Sequence, residues 1–185
     1  MRGLIDILAA RGVHLRDLRA TLPVNPNRKW MYRELDCVKG AIVHHTVGKT
    51  WYTSDAIARM HIGLGWPGMA YTFYIHEEGP AWGSPIVTDF DHRLRDWGPQ
   101  AGEGPHSVNP ETFGVALAGN WVSGLPEPEV QDAMIAELVR LMRGLQEFFV
   151  QEVGHSLYIK PHYFVSATQC PGLAWDKYLA AIGCG

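Results

Sequence analysis

His162 and Cys170 lie eight positions apart in the stretch Lys160-Pro161-His162-Tyr163-Phe164-Val165-Ser166-Ala167-Thr168-Gln169-Cys170-Pro171-Gly172. Imidazole nitrogen and thiolate sulfur are both donors that zinc prefers. A third donor is available far upstream, in Ala41-Ile42-Val43-His44-His45-Thr46, where an apolar run ends in two histidines. Neighbouring strand residues point to opposite faces, so only one of His44 and His45 can aim at a shared metal. The other is a packed or exposed side chain. One His from a strand end, plus a His and a Cys from one late loop, gives three protein ligands and leaves a fourth position open. That is the pattern of a catalytic zinc rather than a structural one. The residues alone leave two alternatives for Cys170: a plain buried thiol, or a nucleophile activated by His162.

These donors need a scaffold. Gly40 to Val47 reads as a central strand, and Ser54 can cap a helix running to about Ile62. Strands are expected at 34–38, 70–76, 81–87, 113–118 and 157–159, the second and third forming a hairpin closed by Glu77-Glu78-Gly79-Pro80. The long helix is placed at about 129–150, where Val130, Met134, Leu138, Leu141, Met142, Leu145 and Phe149 recur at helical spacing and read as core. Residues 4–21 read as a helix broken into two pieces at Gly12, followed by a proline-rich turn. A last helix spans Leu173 to Ile182, and 89–112 reads as a long loop rich in Gly, Pro, His and Asp. Strands and helices intermixed around one core predict a single α/β domain, a central mixed β-sheet flanked by helices. Residues 1–35 are expected as an N-terminal extension packed on that core, and 36–185 as the chemical domain.

Bulk properties narrow the function classes. The 185 residues suffice for one domain with a sizeable core. A net charge of -3 argues against nucleic-acid binding through phosphate neutralisation. No run approaches the roughly 18 apolar residues of a membrane span. Asp6 interrupts the first short apolar run, a poor secretory signal, so synthesis in a cytoplasm without a signal peptide is expected. Three widely spaced cysteines, Cys37, Cys170 and Cys184, do not suggest a disulfide framework.

Five segments, in order, resemble the zinc N-acetylmuramoyl-L-alanine amidases of the phage-lysozyme and peptidoglycan-recognition-protein type. They are Ile42-Val43-His44-His45-Thr46, then His61-Ile62-Gly63-Leu64-Gly65-Trp66, then Tyr71 in Tyr71-Thr72-Phe73-Tyr74-Ile75. Phe113-Gly114-Val115-Ala116-Leu117-Ala118-Gly119-Asn120 and the loop from His162 to Gly172 complete the set. The resemblance covers roughly residues 38 to 182. Two departures stand out. Tyr163-Phe164 replaces the usual Arg-Asp after the second ligand, and Gln100 stands where many members have a His.

The resemblance implies a peptidoglycan hydrolase that cuts the amide between N-acetylmuramic acid and L-alanine, of the kind a phage or prophage uses as an endolysin. It implies His44, His162 and Cys170 as ligands of one zinc ion, which would bring the pKa of bound water towards about 7 and polarise the amide carbonyl. Tyr71 becomes a hydroxyl donor to the oxyanion or a positioner of the attacking water. Thr168 stands where family members often carry Lys, and its neutral hydroxyl could reach the carbonyl oxygen or the water. His45 is not a ligand on this reading, and His61 is structural. Trp97, Gln100, His106 and Asn109 are candidates for the groove that takes the glycan-linked peptide. The protein is expected to act as a monomer on the wall, without membrane insertion, once the membrane is breached. Two other readings carry different expectations: a non-catalytic recognition module would lack the metal Cys, and a cysteine peptidase would resist chelators.

Overall fold

The computed structural model describes residues 3–101 and 107–183. Its centre is β3 (Gly40–His45), buried along most of its length. Val43, Ile42 and Ala41 supply the stiff, apolar side chains that a two-sided strand needs. β3 pairs in parallel with β7 (Thr112–Leu117) on one side and β8 (Tyr158–Pro161) on the other. β7 pairs in parallel with β4 (Phe73–Glu77), which forms an antiparallel hairpin with β5 (Ile86–Phe90). The edge is β1 (Leu15–Asp17), parallel to β5. The six-stranded order is therefore β1-β5-β4-β7-β3-β8, a mixed sheet. Helices cover both faces, as the alternation of β5 shows: Thr88 meets Glu137 of α3 (Pro128–Phe148), while its neighbour Asp89 meets Ser54 of α2 (Ser54–Gly63). This is the α/β architecture that the sequence predicts.

On α3 the apolar stripe is the core, as its period implies. Met134, Leu138, Leu141 and Leu145 are fully buried, each contributing about 1.5–3 kcal/mol relative to exposure. Leu138→Ala would lose about 2–5 kcal/mol through the transfer and cavity terms together. The helix continues into a wider turn at Phe149–Val153 that ends at Gly154 with positive φ. α4 (Leu173–Ile182) packs beside α3, and α1 (Leu4–Ala10) lies against α3 where Gly144 leaves room for Leu8.

Several sequence expectations change. The second N-terminal piece is strand β1, not helix. Sheet pairing along β5 and the Arg16–Asp89 ion pair override the helical pattern there. Residues 3–35 are thus built into the fold rather than laid on it: β1 completes the sheet, and the His14 N–H donates to buried Glu137. β2 (Met31–Tyr32) also pairs with β6 (Asp96–Trp97), inside the segment expected as loop. Leu35–Cys37 forms a 3-10 turn instead of a strand, because the chain must swing from β2 into β3. The α2 cap is Thr53, which accepts from the Ala56 N–H. Ser54 instead donates its hydroxyl to Asp89. Among the described residues, no helix is long and apolar enough to cross a membrane.

Candidate active site

Parallel pairing brings the distant donors together. Val43 of β3 is opposite Pro161 of β8, so the next residues, His44 still on β3 and His162 just past β8, stand side by side with ring centroids 4.4 Å apart. The chain then folds back through a 3-10 turn, and the Tyr163 N–H donates to the Cys170 carbonyl at 2.8 Å. Gly172 follows at φ +61, where a Cβ would stand 2.4 Å from the Trp121 carbonyl oxygen. Only glycine fits both that conformation and that contact. The Cys170 sulfur ends 4.0 Å from His44 Nδ1. One donor atom from each of His44, His162 and Cys170 lies within 4.8 Å of the others.

The donor chemistry suits a cation. His44 Nε2 is 2.7 Å from the Gln100 side-chain oxygen, an acceptor only. Nε2 therefore carries the proton, and the Nδ1 lone pair faces the sulfur. His162 Nε2 is buried without a hydrogen-bond partner. Such an orphaned polar atom is costly unless something outside the protein's own atoms completes it. Burial first, and the adjacent His162 second, lower His44 to about 3, which keeps its ring neutral. Burial likewise lowers His162. Burial pushes the Cys170 thiol up to about 11, opposed by the His45 N–H, which donates to the sulfur at 3.2 Å. A metal ion would relieve all three costs, so the residues fit the zinc that the motif implies.

A family model described as N-acetylmuramoyl-L-alanine amidase matches residues 34–173. This chain belongs to that amidase family. Among curated relatives it is similar to peptidoglycan-recognition protein SC1a of Drosophila melanogaster, 28% identical over 158 residues, covering 80% of this chain and 76% of the relative. Among solved structures it is similar to the endolysin N-acetylmuramoyl-L-alanine amidase LysCS from Clostridium intestinale URNW, 25% identical with a TM-score of 0.58, covering 90% of this chain and 99% of the other. It shares its fold with peptidoglycan recognition protein-LE, solved with tracheal cytotoxin, a monomeric diaminopimelic acid-type peptidoglycan. That match is 16% identical with a TM-score of 0.57 and covers 86% and 88% of the two chains.

In this amidase-family chain Tyr71 packs its ring on His44 at 5.1 Å and meets His61 edge-on at 5.5 Å. Gly114 makes the space: a Cβ there would crowd both Tyr71 and Gln100 at 3.1 Å. Burial, then the nearby Cys170, raises the Tyr71 hydroxyl above its usual range, so it keeps its proton at neutral pH. Thr168 accepts the Cys170 N–H at 3.1 Å and so shapes the turn that presents the sulfur. His45 turns away from the cluster, and its Nδ1 accepts from the Trp121 N–H at 2.9 Å. His61 Nδ1 accepts from the Ala70 N–H at 3.0 Å, a structural contact.

The groove candidates divide. Trp97 and Asn109 line one cavity of about 700 Å³, whose wall also includes Pro99, the residue before Gln100. The Asn109 side-chain oxygen is committed to the Gln100 and Ala101 N–H groups. Gln100 is not among the described residues lining that cavity. Its oxygen holds His44 and its amide N–H donates to Thr112 at 2.8 Å. The available signal was its position, where many family members carry a His. His106 lies outside the described residues. Sequence reasoning also missed Arg33, whose buried guanidinium donates to the carbonyls of Leu94, Asn109 and Thr112. Burial lowers that Arg to about 10. Nothing local marks such a role, since its partners are backbone atoms.

Proposed function

We propose that this protein is a zinc-dependent peptidoglycan amidase that cuts the bond between N-acetylmuramic acid and L-alanine, in the manner of a phage endolysin. The observation that carries the reading is the convergence of His44, His162 and Cys170, with His162 Nε2 buried and unpartnered. The family match and the likeness to an endolysin amidase support it. These three residues would hold zinc, which when bound supplies a Lewis acid and a water acidic enough to attack an amide.

The surrounding residues prepare that chemistry. Gln100 fixes the His44 tautomer, so the Nδ1 lone pair is always directed at the centre. The His45 N–H stabilises negative charge on the Cys170 sulfur. Tyr71, held protonated beside His44, would donate to the oxyanion that forms as the carbonyl is attacked. Tyr71→Phe is expected to keep the metal and lower kcat by about a hundredfold. Unchanged turnover in that variant would remove Tyr71 from the chemistry.

The reading is tested by digesting purified peptidoglycan with and without a chelator, followed by zinc add-back. New alanine amino termini without new reducing sugar ends, lost on chelation and restored by zinc, are expected. A second reading, wall recognition without cleavage, draws on the likeness to recognition proteins. It predicts binding with no new ends under any metal condition.

A further inference from the structure

The cavity lined by Trp97 and Asn109 is walled also by Trp66 and rimmed by the exposed side chains of Arg28 and Lys29. Among the described residues, no Asp or Glu lines it. Its wall connects to the site through two chains of contacts. Trp66 stacks near His61 at 4.7 Å, His61 meets Tyr71, and Tyr71 meets His44. Pro99, on another wall, precedes the Gln100 that holds His44.

Arg28 and Lys29 precede residue 34, where the family match begins. Their backbone is nevertheless fixed firmly. The Asn25 side chain donates to the Trp66 carbonyl at 3.1 Å, and its N–H donates to Pro67. Trp30 stacks on His92 at 4.5 Å and fills the space that any Cβ on Gly98 would need. Met31 pairs with Trp97, and the Arg33 guanidinium clamps the Leu94, Asn109 and Thr112 carbonyls. Neither the Arg28 nor the Lys29 side chain makes an ion pair or hydrogen bond with any described residue. Two cations are thus held over the cavity with no ion-pair partner among the described residues.

We propose that Arg28 and Lys29 form a carboxylate-binding rim, and that it selects wall fragments whose peptide stems carry free carboxylates. This names the substrate chemistry of the proposed amidase and rests on that reading. An Arg fork and a Lys ammonium match carboxylate oxygens, while the flanking indoles suit the aliphatic parts of a stem. The anchored backbone means that little ordering accompanies binding. The N-terminal segment therefore sets specificity, while the family core performs the cut.

The test compares a soluble N-acetylmuramoyl peptide with free stem carboxylates against the same compound amidated at those positions. For the native protein KM should be roughly tenfold lower on the free form. That preference should shrink in about 0.5 M salt, where the Debye length is ~4 Å. In the double variant Arg28→Ala, Lys29→Ala the two KM values should converge, with kcat and zinc content unchanged. Arg28→Glu, Lys29→Glu should favour the amidated form. A preference that survives in both variants, or none in the native protein, overturns the rim. The same fragments are also titrated onto chelator-treated protein, following tryptophan fluorescence. Selective binding there without any cleavage in the zinc form would sustain the rim and sink the amidase reading. Cleavage without selectivity would do the reverse.

Discussion

Two buried polar clusters occupy opposite ends of one row across the sheet, and their histidines are treated in opposite ways. Arg16, Asp89, Tyr74, Ala116 and His44 are register partners in succession, so they share a face. At the β1 end Asp89 is fully buried and saturated. It accepts from Arg16 at 2.7 Å and from Ser54 at 2.8 Å, and His76 Nε2 lies 2.9 Å away. At the β3 end His44 and Cys170 are also buried, yet His162 Nε2 has no partner. Polar groups that complete one another make a joint. Polar groups that converge and stay incomplete make a site for something else.

Breaking each end should therefore give different losses. His162→Ala is expected to abolish zinc retention and reduce amidase activity on the order of a thousandfold or more. Without zinc its unfolding free energy should stay within about 1 kcal/mol of the parent. A large loss of stability in chelator would make the cluster a joint after all. Asp89→Ala should do the opposite. It leaves Arg16 and His76 facing each other without their carboxylate, at a cost of about 3 kcal/mol. That is the low end for a broken buried pair, because Arg16 keeps a third of its side chain in water. The denaturant midpoint measures this, and zinc binding by the folded fraction should be unchanged. Gln100→Ala lies between the two: about 10- to 100-fold weaker zinc binding by competition titration, with the fold retained.

The smallest effect sharpens the picture of the β1 end. Asp91 is buried there, and Ser54 gives its proton to Asp89, leaving both Asp91 oxygens without a hydrogen bond. Burial, then the Asp89 charge, holds the Asp91 carboxyl well above the usual range. The folded protein therefore keeps a proton that the unfolded chain releases near pH ~4. Stability from this group is complete below that pH and is lost as pH rises. Asp89 has the opposite sign. Burial would raise it, but hydrogen bonds from His76 and Arg16 prevail and hold it below the usual range. Its contribution is present above about pH 4 and is lost as pH falls through its folded pKa. Asp91→Asn should flatten the decline on the alkaline side by up to about 1.4 kcal/mol per pH unit, leaving the acid limb intact. Urea midpoints across pH would show it.

What the sequence made legible follows from where each signal resides. β3, α3 and α4 carry their patterns within a few turns or pleats, and the His162–Cys170 loop carries its ligands within one short run. These were readable because each pattern is local. β1 was not, because Arg16 acquires its meaning only opposite Asp89. Gln100 was visible as a departure but not as a brace for His44, since the two meet only after β3 and β7 pair. Arg33 left no trace at all, because carbonyl oxygens look alike in every residue.

The strand order has a consequence for the order of synthesis. Gly40 waits for Thr112 on one side and for Tyr158 on the other, and Leu15 waits for Thr88. Such distant pairings form late. His44 is made early, but its companions arrive only with β8 and the turn beyond it. No nascent chain ending before Cys170 can assemble the three donors. Any metal that the three donors hold must therefore wait until Cys170 has left the ribosome.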